Sequence, residues 1–195
     1  MKKTKIIWIA VAVVLVVFLG LSMKVIDKGT EGQYTGEVAF DAGASSSGGW
    51  DAILAEITAG AQELSALDLS ALGDGKAVTM TAVVTGFESK AKGKKNSITV
   101  QPEGYEGEYT FTVQLGSVYS GTVLRDLQTV KAFGSFTNQT EWSQYGKAIN
   151  EQMHTQVVEP LAIDESIQGK TITLTGGMTA TGKDVSITPV ALAIE

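Results

Sequence analysis

The side chains best suited to binding a ligand lie in the C-terminal half of the chain, from residue 125 onward. Arg125 is the only arginine in the chain, and Asp126 follows it directly. A guanidinium group is a rigid fork of donors that fits a carboxylate or a phosphate. The pair therefore has two interpretations. One is a structural ion pair of Arg125 with Asp126, Glu141 or another carboxylate, and the other is contact with an anion or a sugar.

A second group of polar and aromatic residues follows shortly after this pair. Asn138 and Gln139 carry amides that both donate and accept hydrogen bonds, and Trp142 and Tyr145 come next. Amides for hydroxyl groups and rings for an apolar sugar face are typical of carbohydrate contact. The alternative is structural: Thr137 or Asn138 caps a helix, and the aromatic rings lie in the core. The predicted ligand-binding residues are Arg125, Asp126, Asn138, Gln139 and Trp142.

Catalytic and metal chemistry find little support in the sequence. The chain has no cysteine, which excludes disulfides and thiolate chemistry, and His154 is its only histidine. A zinc site needs three or four ligands from histidine, cysteine and carboxylate groups. A Ser-His-Asp site would need this same histidine, and the Gly-x-Ser-x-Gly motif that presents such a serine is absent from the sequence. We predict a protein that is not an enzyme and that has no metal and no cofactor.

A cluster of lysines is the most concentrated charge in the chain. Lys90, Lys92, Lys94 and Lys95 surround Gly93 in a segment between two predicted strands. Such a cluster is typical of a solvated turn. The alternative is attraction to anionic lipid headgroups.

Alternating apolar and polar residues predict the strands that carry these segments. Pro189 lies inside the last strand, which indicates an edge or a bulge, and Gly176 and Gly177 indicate a turn. The predicted strands are residues 78–84, 98–101, 109–115, 171–175 and 185–194.

Two helices are predicted from apolar residues at steps of three and four. The first runs from Trp50 to Leu67, and the second covers residues 139–158 and ends before Pro160. The residues between the third strand and the second helix read as irregular, with a possible short strand at 129–133. Three strands, a helix and two strands predict a mainly β fold with α elements, an OB-like five-stranded bent sheet or barrel, preceded by an amphipathic helix.

The N-terminal segment predicts a membrane anchor. Residues 6–23 carry no charge, and three lysines precede them. As a helix they reach about 27 Å, close to the hydrocarbon thickness of a bilayer. The positive-inside rule places the N-terminus in the cytoplasm and the following domain on the outer side of the cytoplasmic membrane. The chain is therefore predicted to be a single-pass membrane protein. The predicted anchor residues are Ile6, Trp8, Leu15, Phe18 and Leu21. The alternative is a signal peptide cleaved near residue 22, which would release a secreted soluble domain.

Composition and charge define the domain organisation. We predict the anchor at residues 1–24, a connector at 25–49 that ends in the linker-like sequence SSSGG, and an extracytoplasmic domain at 50–195. The formal net charge is −6. An acidic domain repels polyphosphates, so we predict no nucleic-acid partner.

Several motifs resemble an uncharacterised family of predicted periplasmic lipoproteins, whose members are often encoded beside ribose-type sugar ABC importers. The most specific of them is FTNQ at residues 136–139, followed by Glu141 and Trp142. Phe40-Asp41 and Trp50-Asp51 fit the same pattern upstream. The other motifs are GTVLRD at residues 121–126, Asn150, GK at 169–170 and ITPV at 187–190.

The resemblance implies an extracytoplasmic, membrane-tethered protein without an established activity. It suggests an accessory role in sugar import, with the cytoplasmic membrane and an ABC transporter subunit or a solute-binding protein as partners. A module that binds a small ligand, a sugar or a nucleoside, is the alternative. The chain departs from the family label because no cysteine follows the apolar segment. The apolar helix is therefore the expected tether.

Overall fold

The computed structural model describes residues 40–90 and 92–195. The predicted anchor, including Ile6, Trp8, Leu15, Phe18 and Leu21, and most of the predicted connector lie outside these ranges. Within them, no helix combines the length and the apolar character needed to cross a membrane.

A five-stranded barrel forms the centre of the described domain. The strands are β1 (Gln62–Glu63), β2 (Lys76–Lys90), β3 (Lys95–Pro102), β4 (Thr110–Gln114), β5 (Thr171–Thr181) and β6 (Asp184–Ile194). Strand β2 pairs antiparallel with β3 and with β5, and β3 pairs antiparallel with β4. Strand β4 runs parallel to β6, and β6 pairs antiparallel with β5. The barrel of β2 to β6 is therefore closed, and the predicted order of strands is confirmed.

The period of two in the sequence matches burial in the barrel. On β2, Val78, Met80, Ala82 and Val84 are buried and alternate with more exposed residues. The strand was predicted to end at residue 84, but it continues beyond that residue. The register shifts between Val84 and Gly86, and the strand continues past this bulge to Lys90. Bulges of this kind bend a strand and help a small sheet to close.

A second bulge corrects the interpretation of Gly176 and Gly177. These residues lie within β5 rather than in a turn, and the register to β6 shifts between Thr175 and Gly176. Gly176 pairs with Pro189, and a Cβ atom on Gly176 would lie 2.4 Å from the carbonyl oxygen of Thr188. The glycine is therefore required by close backbone approach. The predicted bulge at Pro189 is confirmed.

Within residues 40–90 and 92–195, four α-helices accompany the barrel. They are α1 (Ala42–Ser47), α2 (Trp50–Gly60), α3 (Val123–Leu127) and α4 (Gln139–Met153). The second predicted helix corresponds to α4, which Asn138 caps and which continues as a wider turn over His154–Val158. It stands between β4 and β5, as the OB-like order requires.

The N-terminal helical region differs from the prediction. Residues 45–49, predicted as linker, include the end of α1, because Asp41 Oδ1 accepts a hydrogen bond from the Ala44 N–H and caps this helix. The helix predicted from Trp50 to Leu67 ends at Gly60. Ala61 adopts an extended conformation and leads into β1, which pairs with β2. Glycine has low helix propensity, and pairing with the barrel replaces the lost helical hydrogen bonds.

The segment between β4 and α4 is more ordered than its sequence indicates. It contains α3, which was predicted as irregular, and a 3₁₀ turn at Phe133–Ser135. The possible strand at residues 129–133 is absent from the described structure. Side-chain hydrogen bonds from Gln128 to this loop replace strand pairing there.

Candidate functional site

Three glycines create the seat of α3, the short helix that carries Arg125. A Cβ atom on Gly75 would lie 2.7 Å from Val123 Cγ2, and one on Gly177 would lie 2.9 Å from Val123 Cγ1. On the other side, a Cβ atom on Gly146 would lie 2.8 Å from Thr122 Cγ2 and 3.1 Å from Arg125 Cδ. The helix is therefore wedged between β5 and α4, where only glycine allows this approach.

Arg125 makes the ion pair that one interpretation of the sequence predicts. Its Nε and Nη2 atoms donate to Asp126 Oδ1 at 2.8 and 2.6 Å. The other oxygen of Asp126, Oδ2, accepts from the Thr122 hydroxyl at 3.0 Å. Glu141 is not the partner of Arg125, since its carboxylate accepts from the Thr137 N–H. Arg125 Nη1 donates no hydrogen bond within the described residues.

The guanidinium group of Arg125 also lies over an aromatic ring. Its Cζ atom is 4.6 Å from the ring centroid of Trp142. Phe133 meets the same indole edge-on at 5.9 Å, and Phe136 packs between Trp142 and Tyr145 at 5.1 and 5.0 Å. This aromatic cluster joins the segment before α4 to the helix itself. Phe133 stays 49% exposed, so one ring of the cluster faces solvent.

Gln128 holds the loop that closes the site. Its side chain is only 6% exposed. Nε2 donates to the carbonyl oxygens of Arg125 and Lys131 at 3.1 and 2.8 Å, and Oε1 accepts from the Lys131 N–H at 2.8 Å. Sequence reasoning missed this residue, because a glutamine in an irregular segment gives no signal that distinguishes it from a surface residue.

These groups surround an open cavity of about 510 Å³. Three of the five predicted ligand-binding residues, Arg125, Asp126 and Trp142, line it. The complete lining is Asp74, Arg125, Asp126, Gln128, Ala132, Phe133 and Trp142. Asp74 stands on a loop before β2, and it makes no hydrogen bond or ion pair with the rest of the described chain. It was not predicted, because it is far from Arg125 in sequence.

The structure places the other two predicted residues outside this lining. Asn138 is the N-cap of α4, and its Oδ1 atom accepts from the Glu141 N–H at 3.0 Å. Gln139, the first residue of the helix, is exposed. The capping interpretation of Asn138 therefore matches the geometry.

Two tyrosines lie on or beside α4: Tyr145 is part of the helix, and the half-buried Tyr119 contacts His154, which follows it. Tyr145 is fully buried beneath the aromatic cluster, and its hydroxyl has no partner among the described residues. Burial raises its pKa above the ordinary value of 10.0. Tyr119 contacts His154 Nδ1 through its hydroxyl at 3.1 Å, and burial raises its pKa as well. Both side chains are neutral at physiological pH, so they add no charge to the site.

Metal ligands are not gathered at this site. In the part of the chain that the structure describes, no three histidine, cysteine, aspartate or glutamate side chains lie close enough together to hold a metal ion. The cavity instead offers arginine nitrogen, carboxylate oxygen and an aromatic face. Such a set can bind hydroxyl groups and an apolar ring.

Comparison with solved structures supports the description of the fold. An OB-fold protein from Thermotoga maritima, known from a crystal structure, superimposes with a TM-score of 0.57 over 81% of this chain and 100% of that chain. The two sequences are 12% identical, so the likeness concerns the fold alone. No curated protein sequence matches the chain.

The family model described as predicted periplasmic lipoprotein (DUF2291) matches residues 70–193. The match includes the barrel except for the last residue of β6, and it includes α3, α4 and every residue that lines the cavity. It also places the domain outside the cytoplasm, as the sequence motifs imply. The chain belongs to this family of predicted periplasmic lipoproteins, which has no established activity.

Proposed function

We propose that this extracytoplasmic protein is a non-enzymatic accessory protein of a sugar import system, and that its domain binds a small ligand in the Arg125 cavity. The observation that carries the proposal is the cavity itself, of about 510 Å³, in which Arg125, Asp126 and Trp142 meet. Small-ligand sites are concave and combine apolar surface with a few polar groups. This cavity has both.

The groups available in the cavity favour a neutral ligand that is rich in hydroxyl groups. Arg125 Nη1 can donate, the Asp74 carboxylate can accept, and the exposed ring of Phe133 can cover an apolar face. Asp126 already balances the charge of Arg125, and Asp74 adds a further negative charge. Phosphorylated ligands are therefore repelled, whereas a sugar or a nucleoside satisfies all three groups.

A thermal-shift and calorimetric survey tests ligand binding. Neutral pentoses, hexoses and nucleosides are compared with their phosphate esters. The proposal expects at least one neutral compound to raise the melting temperature in a dose-dependent way, since a ligand that binds only the folded state stabilises it. If no compound shifts the melting temperature, or if only phosphate esters do, the proposed ligand class is wrong.

The exposed apolar residues beside the cavity support contact with a protein partner. Val130 and Phe133 are 40% and 49% exposed on the same loop, and exposed apolar patches are typical of interaction sites. The proposed partner is a transporter subunit or a solute-binding protein.

Co-purification from detergent-solubilised membranes tests this association. We expect a transporter component to be recovered with the wild-type chain and lost with Val130→Ser. Val83→Ser is the matched control, because Val83 is 37% exposed on β2. Recovery of no transporter component with the wild-type chain would contradict the association.

The proposed tether is the apolar segment at residues 6–23. The support is its uncharged composition, the lysines before it and the absence of a cysteine that a lipid could modify. N-terminal sequencing of the mature protein tests this proposal. A start near residue 1 agrees with an anchor, whereas a start near residue 23 indicates a secreted soluble domain.

A further inference from the structure

We infer that the lysine hairpin, defined by Lys90, Lys92, Lys94 and Lys95 where β2 meets β3, docks on the anionic headgroup surface of the membrane. This surface is separate from the Arg125 cavity, and the inference is independent of the ligand proposed above. Docking of the lysine hairpin would orient the domain on the membrane.

The hairpin tip carries a concentration of positive charge. Lys92, Lys94 and Lys95 are exposed and make no ion pair within the described residues. Lys90 pairs with Glu88 at 2.8 Å, but both side chains are more than half exposed. The chain as a whole carries a net charge of −6, so this cluster is a local reversal of sign. Anionic lipids attract such a cluster and repel the rest of the domain.

An exposed apolar side chain lies beside the lysines. Val118 is 47% exposed, and its N–H donates to the carbonyl oxygen of Lys94 at 2.8 Å. The bond fixes Val118 next to the hairpin tip. Basic residues around an exposed apolar side chain are typical of segments that lie in the interface of a membrane.

Backbone contacts hold the segment that carries Val118 against the hairpin. The N–H groups of Leu115 and Gly116 both donate to the Asn96 carbonyl oxygen, at 2.8 and 3.0 Å. A Cβ atom on Gly116 would lie 2.2 Å from the carbonyl oxygen of Lys94. The segment that carries Val118 therefore packs directly on the hairpin, and little order must be gained when the surface docks.

A recess of about 240 Å³ lies behind the hairpin, but it does not explain the lysines. Gly93, Asn96 and His154 line it, and so does Glu159. The carboxylate of Glu159 opposes the entry of a free phosphate ion. The lysine side chains face solvent instead, which fits an extended anionic surface better than a small anion.

Site-specific labels in proteoliposomes test the inference with the full chain. The protein has no cysteine, so Val118→Cys and Glu106→Cys each create one labelling site. Glu106 lies in the loop beyond the opposite end of β3, a strand of eight residues that spans about 27 Å. Quenching of each fluorescent label by headgroup-modified lipids is measured in bilayers with and without phosphatidylglycerol.

We expect the label at position 118 to be quenched in phosphatidylglycerol bilayers and much less in phosphatidylcholine alone, with little quenching at position 106. Each lysine near an anionic surface raises the equilibrium constant for docking about fivefold. The double substitution Lys92→Gln with Lys94→Gln should therefore lower that constant on the order of 25-fold. The matched control, Lys147→Gln with Lys170→Gln, changes two other exposed lysines and should leave quenching unchanged.

Salt of about 0.5 M should also weaken the quenching at position 118, because it screens exposed charges. Three results would overturn the inference: equal quenching in neutral and anionic bilayers, equal quenching at positions 118 and 106, or no effect of the hairpin substitutions in folded protein.

Discussion

The guanidinium carbon of Arg125 lies 4.6 Å from the ring centroid of Trp142. The same group donates two hydrogen bonds to Asp126, so one side chain joins α3 to α4 and to its neighbour on α3. Cation–π contacts contribute about 0.5–2 kcal/mol, depending on exposure. This arrangement fixes one face of the guanidinium group and leaves Nη1 directed to no described partner.

Gly146→Ala should destabilise the fold by about 1–3 kcal/mol, because the added methyl group overlaps Thr122 and Arg125 and forces α3 away from α4. Urea unfolding measures the change. The control is Gly60→Ala at the end of α2, where a Cβ atom meets nothing within 4 Å. This control should be neutral or stabilising by up to about 1 kcal/mol. Equal effects of the two substitutions would contradict the close packing of α3.

Gln128→Ala should release the loop between α3 and the 3₁₀ turn. It removes three hydrogen bonds and leaves two carbonyl oxygens and one N–H unpaired, at a cost of about 1–3 kcal/mol. Hydrogen exchange should show faster exchange of the Lys131 N–H than in the wild type. Unchanged protection at Lys131 would show that the loop is held by other contacts.

Asn138→Ala should lower the free energy of unfolding by about 1 kcal/mol, because it removes the cap of α4. Since Asn138 does not line the cavity, ligand affinity should stay the same. Chemical denaturation and calorimetry measure the two effects separately. Loss of affinity with unchanged stability would favour the alternative in which Asn138 contacts the ligand.

Stability should fall as the pH rises above about 10. Burial raises the pKa of Tyr119 and of Tyr145 in the folded state, so the unfolded chain ionises first and binds fewer protons. Below the ordinary pKa of 10.0 these tyrosines add no pH dependence. Tyr145→Phe should flatten the alkaline decline without loss of stability at neutral pH, because its hydroxyl has no described partner.

Urea unfolding between about pH 8 and 11 tests this prediction. The parallel variant Tyr119→Phe also removes the contact with His154, so it should flatten the decline but lower stability at neutral pH. A decline that is identical in the wild type and in both variants would contradict the assignment to these tyrosines.

The barrel was predictable because its signal is local and repeated. Alternation along β2, and the order of strands around α4, both follow from residues that must face a core. The long helix was predictable for the same reason, and its cap at Asn138 follows from residue type. Local patterns of this kind are read along the sequence without knowledge of tertiary contacts.

The elements that were missed depend on contacts between distant residues. Gly177 reads as a turn, but its role is to admit Val123 of α3. Helix α3 has only five residues, too few for a clear period, and it is stabilised by its glycine seat. Asp74 reaches the cavity only because the loop before β2 passes close to Arg125. Arg125, Asp126 and Trp142 could be proposed from the sequence because their residue types are rare or distinctive in this chain, and they line the same cavity.

Titration calorimetry with the neutral ligand found in the survey tests the central proposal most directly. The wild type is compared with Arg125→Ala and with Gln139→Ala, which is exposed and outside the cavity lining. Arg125→Ala, shown to be folded by its unfolding transition, should lose binding by tenfold or more, since a hydrogen bond to a charged group contributes about 1.5–3 kcal/mol. Gln139→Ala should bind like the wild type. Equal affinity of the three proteins would place the ligand elsewhere and contradict the proposed site.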